Sequence, residues 1–147
     1  MSNNQNLSYY IGALIFSLIG GILLLVTDFA GWYAYNYYAG VRIWSYIGFD
    51  ELPSGLIFLI PAIFLFYCSY ISLLALRNTG KTPSKNSIRL GTILSLAVFL
   101  LALIGGIIFI LTLGDVNDWW FDGAFYGGLL GGLFTSIFLY FVLKNIG

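Results

Sequence analysis

Histidine is absent from the 147 residues, cysteine occurs once, at Cys68, and six basic side chains balance six acidic ones. Each scarcity removes a class of function. Without histidine there is no His-ligated haem and none of the usual zinc or copper centres. A single cysteine rules out an internal disulfide, a Cys-x-x-Cys redox pair and a cysteine metal cluster. Charged residues make up 8% of the chain, against the ~25% usual for soluble domains, too few to cover a water-exposed surface of this size. Because the charges cancel, no global field draws the chain to nucleic acid.

What the chain has in place of charge is four long apolar stretches, at 7–27, 56–76, 90–113 and 123–143, none of which contains Asp, Glu, Lys, Arg or His. A helix rising ~1.5 Å per residue needs about 20 residues to cross a hydrocarbon core of ~30 Å. The expected fold is therefore all-α, a single-domain bundle of four transmembrane helices. Within the spans the ionisable groups are Cys68 and tyrosines such as Tyr67, Tyr70, Tyr126 and Tyr140. Proton relays and ion-coupled transporters keep carboxylates or bases inside the membrane, so neither these nor an enzyme is expected. No cofactor is expected.

The few charges are segregated. Arg77, Lys81, Lys85 and Arg89 lie between the second and third stretches, and Lys144 follows the fourth. Asp28, Asp50 and Glu51 lie between the first and second, Asp115, Asp118 and Asp122 between the third and fourth, with Arg42 their one basic companion. Short loops rich in Lys and Arg stay on the cytoplasmic side. This places both termini and the 77–89 loop in the cytoplasm, the acidic loops outside, and the protein in the plasma membrane. The first stretch is longer than the 7–15 residues of a signal-peptide core and reads as a retained span.

An internal repeat is visible. Leu18-Ile-Gly-Gly-Ile-Leu-Leu-Leu-Val-Thr27 returns as Leu103-Ile-Gly-Gly-Ile-Ile-Phe-Ile-Leu-Thr112, and each copy runs into an acidic, tryptophan-bearing loop. Two tandem helical hairpins follow, related as a parallel pseudo-repeat. The first acidic loop is crowded with Trp32, Tyr35, Tyr38 and Trp44, and the second carries Trp119 and Trp120. Such rings favour the headgroup zone. They predict an outer aromatic surface and, somewhere between Gly31 and Gly48, a short interfacial helix or an ordered cap over the bundle. The inner linker holds the breakers Gly80 and Pro83, with Ser84 or Ser87 available to cap the third helix.

Lipid is as apolar as leucine, so helices in a membrane associate through close packing at small residues. Gly123, Gly127, Gly128, Gly131 and Gly132 form interleaved series at a spacing of four in the last stretch, and Gly20, Gly21, Gly105 and Gly106 mark the first and third. These faces are expected to form the bundle interior, with a neighbouring protomer as the alternative partner for the fourth span. Pro61, if beyond the first turn of its helix, predicts a kink near Phe58. Asp28, Asp115, Asp118 and Asp122 gather at one membrane boundary. As hard oxygens they are a candidate calcium site, set against solvated loop charges that fix topology.

Four spans, inner termini, a longer first outer loop, a short second one and a tryptophan soon after the first span resemble the claudin and peripheral-myelin tetraspan superfamily. That family carries a Gly-Leu-Trp signature and two cysteines in the first loop. Here Gly40-Val-Arg-Ile-Trp44 occupies that loop and no loop cysteine exists, so the likeness is one of topology, implying an adhesion or barrier protein. Three readings stand: an accessory or scaffold subunit packing with itself or a larger membrane complex; an oligomeric channel or facilitator lined by Thr27, Ser95, Thr112, Thr135 and Ser136; and the tetraspan adhesion protein.

Overall fold

A computed structural model of the chain describes residues 3–33, 52–77, 82–115 and 118–147. Their order is α1 (Asn3–Val26), β1 (Ala30–Tyr33), α2 (Leu52–Leu76), α3 (Lys85–Thr112), β2 (Asp118–Phe121) and α4 (Gly123–Ile146). All four helices are long and apolar enough to cross a membrane, and they fit a multi-pass membrane protein.

The helix ends follow from local chemistry. α3 begins five residues before the apolar run because Ser84 caps it: the Ser87 N–H donates to Ser84 Oγ at 3.1 Å, and the Ile88 N–H to the Ser84 carbonyl at 3.1 Å. This satisfies donors that a first turn otherwise leaves orphaned. Asp122 caps α4, its carboxylate accepting from the Gly123 N–H at 2.6 Å. From Asp122 to Lys144, α4 covers about 33 Å at the usual rise, so its two charged residues flank the apolar length. Pro61 lies inside α2, well beyond the first turn, and has no N–H to offer the carbonyl of Ile57.

The helices close into a four-membered ring. α4 packs extensively against α1 and α3, α2 packs against α1 and much less closely against α3, and α2 and α4 scarcely touch across the centre. The bundle is inverted relative to a soluble one. Small residues such as Ala13, Ser17, Ala62, Ser72 and Ser95 are fully buried, while Ile15, Ile19, Ile60, Ile63, Ile104 and Leu130 point outward. In water so continuous an apolar exterior would drive aggregation; against acyl chains it costs nothing. The larger buried side chains gather in two clusters. One, around Leu24, Phe29, Phe58, Leu65, Val98, Phe109 and Phe125, lies towards the strand-bearing end. The other, around Tyr10, Cys68, Ile71, Ile88, Leu139 and Val142, lies towards the termini.

The strands are the departure from an all-helical expectation. β1 and β2 pair antiparallel with Ala30 opposite Phe121, Gly31 opposite Trp120, Trp32 opposite Trp119 and Tyr33 opposite Asp118. Gly31–Tyr33, where the interfacial helix was expected to begin, is thus extended, because the second loop supplies a matching strand. The rest of that expectation falls on residues 34–51, outside the described residues, as do Tyr35, Tyr38 and Trp44.

Candidate functional site

Alternation along the strand pair sends Ala30, Trp32, Trp119 and Phe121 to one face and Gly31, Asp118 and Trp120 to the other. The first face closes the bundle. Phe121 stacks on Phe125 with centroids 3.9 Å apart, and both Trp119 and Phe121 meet Phe109, at 6.2 and 5.7 Å. Trp32 packs on the same cluster. On the other face the Trp120 ring lies over Gly31, where an added methyl would come within 2.5 Å of it; only a glycine lets the indole cover the neighbouring strand. Of the expected outer aromatic surface, Trp32 is therefore half-buried packing, Trp119 is exposed at its edge and Trp120 covers the cap.

The acids at this end act on backbone. The Asp122 N–H donates to the Phe29 carbonyl at 2.8 Å and the Ala124 N–H to the Asp28 carbonyl at 3.1 Å. The start of α4 is thereby capped partly by its own Asp122 and partly by the chain leaving α1. Asp118 accepts from the Trp119 N–H at 2.8 Å, and Asp115 is exposed. Among the described residues no three His, Cys, Asp or Glu side chains, Asp28, Asp115, Asp118 and Asp122 included, come together in a way that could hold a metal ion; Asp50 and Glu51 lie outside the described residues.

The glycines sit where helices touch. A methyl on Gly20 of α1 would lie 2.6 Å from the Gly127 carbonyl, and one on Gly131 would lie 3.0 Å from the Gly20 Cα. One position further round α4, a methyl on Gly132 would lie 2.6 Å from the Phe99 nitrogen of α3, and one on Gly128 would lie 3.0 Å from the Ala102 Cβ. The 127/131 row thus serves α1 and the 128/132 row serves α3. Gly21 faces Phe66, Gly106 faces Phe125, Gly105 faces Phe29 and Gly123 faces Thr27. An aromatic ladder overlooked in the sequence continues the α1–α4 seam: Phe16 stacks on Phe134 at 4.7 Å and Tyr9 on Phe141 at 5.3 Å. Its signal was the spacing of Phe134, Phe138 and Phe141, indistinguishable in an apolar run from lipid-facing residues.

Between the two apolar clusters lie small hydroxyls. Ser17 and Ser69 meet at 2.7 Å, joining α1 to α2. Ser69, Ser72, Ser95 and Ser136 donate to carbonyls of their own helices: Leu65, Cys68, Gly91 and Leu133. The Cys68 thiol donates to the Gly91 carbonyl at 3.2 Å. Thr135 Oγ1 is buried without a hydrogen-bond partner. Of the candidate pore residues, Ser95, Thr135 and Ser136 are interior, while Thr27 and Thr112 are not buried and donate to Leu23 and Phe109 carbonyls.

The structure adds one feature that no motif announced. Between α2 and α3, towards the strand-bearing end, a half-open cavity of about 190 Å³ is lined by Ile57, Phe58 and Pro61 on one side and by Val98, Leu101, Ala102, Ile104, Gly105 and Ile108 on the other. Leu24, Phe29 and Gly128 complete its lining. It exists because α2 brings Phe58 and Pro61 where α4 brings glycines, so α2 and α3 cannot approach as closely as α4 and its neighbours. The lining carries no charged residue. No protein-family model, curated protein or solved structure matches this chain.

Proposed function

We propose that this chain is a small non-catalytic subunit that accompanies or scaffolds another membrane protein, in the plasma membrane, with the terminus-bearing end and the 77–89 loop cytoplasmic. The observation that supports it best is the sealed interior. Leu65, Phe109, Leu139 and Val142 are fully buried above and below the hydroxyls, and Ser72, Ser95 and Ser136 donate to carbonyls of their own helices. Among the described residues the buried interior holds apolar side chains and small hydroxyls and no Asp, Glu, Lys or Arg.

The α4 glycine face is spent within the bundle, so a partner would meet a different surface. The strand-bearing end, with Trp119 exposed, is the surface we assign to that role. The hairpin repeat belongs to the same reading: each Leu-Ile-Gly-Gly-Ile copy leads towards one strand, and antiparallel pairing is what an axis along the membrane normal would impose.

The test is extraction from native membranes in mild detergent through a C-terminal tag, followed by mass determination of the intact particle. A particle heavier than the 16.3 kDa chain by a defined protein mass is expected. A bare monomer would refute the proposal. Cation flux through protein-loaded vesicles above that of empty ones would replace it with the channel reading.

A further inference from the structure

We propose that the α2–α3 cavity is a lipid-tail site, holding one acyl chain drawn from the leaflet at the strand-bearing end. The cavity is continuous with the lipid-facing surface of both helices, because Ile57, Leu101, Ile104 and Ile108 line it and are also exposed on the outside of the bundle. Its size selects the occupant. An apolar cavity of about 150 Å³ takes a benzene-sized molecule, so about 190 Å³ accepts a length of hydrocarbon chain. A partner helix is about 10 Å across with its side chains and does not enter.

Chemistry agrees with size. Every side chain lining the space is apolar, and it is bounded by Phe29 and Phe58, whose rings lie 5.9 Å apart. At the mouth, Pro61 deprives the Ile57 carbonyl of its helical donor.

The experiment uses the full chain in phosphatidylcholine vesicles doped with a phosphatidylcholine carrying a photoactivatable diazirine on one tail, with labelled peptides mapped by mass spectrometry. Labelling at 57–61 and 98–108 is expected several-fold above that at equally exposed positions elsewhere, such as Ile15, Ile19 and Leu130. Leu101→Trp or Ile104→Trp, which places an indole at the lipid-facing mouth, should bring it down to the level of those positions and leave their labelling unchanged. Labelling that follows exposure evenly around the bundle, or that neither tryptophan alters, would overturn the site. The partner proposal stands or falls separately, on the mass of the extracted particle.

Discussion

Gly132→Ala is the most economical probe of how this bundle is held together. The added methyl would lie 2.6 Å from the Phe99 nitrogen and 2.8 Å from the Ser95 carbonyl oxygen, both backbone atoms of α3. Neither can swing aside as a side chain would. Ordinary contact starts near 3.4 Å, so α3 and α4 must part by roughly 0.8 Å, a gap that forfeits a quarter to a half of each dispersion contact along the seam. Overpacking of this kind costs about 1–3 kcal/mol. Alanine returns about 1 kcal/mol through its better helix propensity, leaving a net loss of up to about 2 kcal/mol, centred near 1. Gly114→Ala is the matched control, since nothing lies within 4 Å of the new methyl. It is expected to be neutral or stabilising by a few tenths of a kcal/mol through the unfolded chain. Reversible unfolding in mixed micelles, followed by tryptophan fluorescence, measures both. If Gly132→Ala matches or exceeds the parent in stability, the claim that backbone contact at this glycine joins α3 to α4 is wrong.

Three further outcomes can be read in the same assay. Phe29→Ala removes a 4%-exposed ring set against Phe58, Phe121 and Phe125, and should cost about 3–5 kcal/mol; a loss below 1 kcal/mol would mean the cap does not depend on it. A double-mutant cycle on Ser17→Ala and Ser69→Ala should give a coupling of about 0.6 kcal/mol, the size typical of interhelical hydrogen bonds in membranes, and zero coupling would contradict the 2.7 Å contact. Thr135→Val, nearly identical in shape, removes a buried hydroxyl without a partner and should stabilise the bundle by about 1 kcal/mol; destabilisation would reveal a hydrogen bond at that hydroxyl.

The four helices were legible because one physical constraint, the thickness of hydrocarbon, sets the length of every apolar run. Their caps were half legible. Ser84 was one of two candidates for α3, whereas the backbone caps from Asp28 and Phe29 onto α4 depend on a chain segment that no local pattern points to. The glycine spacing announced close contacts without assigning them. Neighbouring residues on a helix point about 100° apart, so the rows starting at Gly127 and Gly128 reach different helices, and only the assembled ring shows which. The strands were missed because four residues cannot establish an alternating period against aromatic loop composition, and because their pairing crosses between hairpins. The α2–α3 cavity was invisible for a different reason. It arises from bulk on α2 where α4 has none, and a hollow has no residue signature of its own.

The strand pair also bears on how the protein is made. β1 emerges after the first span, yet among the described residues its strand partner is β2, two membrane crossings later. During synthesis the first hairpin must wait with an incomplete rim, open to any extended segment nearby. Completion of the rim and of the α4 cap arrives together, in the final quarter of translation. A polypeptide halted before Asp118 would carry three spans and lack both α4 and the strand that fastens the first hairpin to the second.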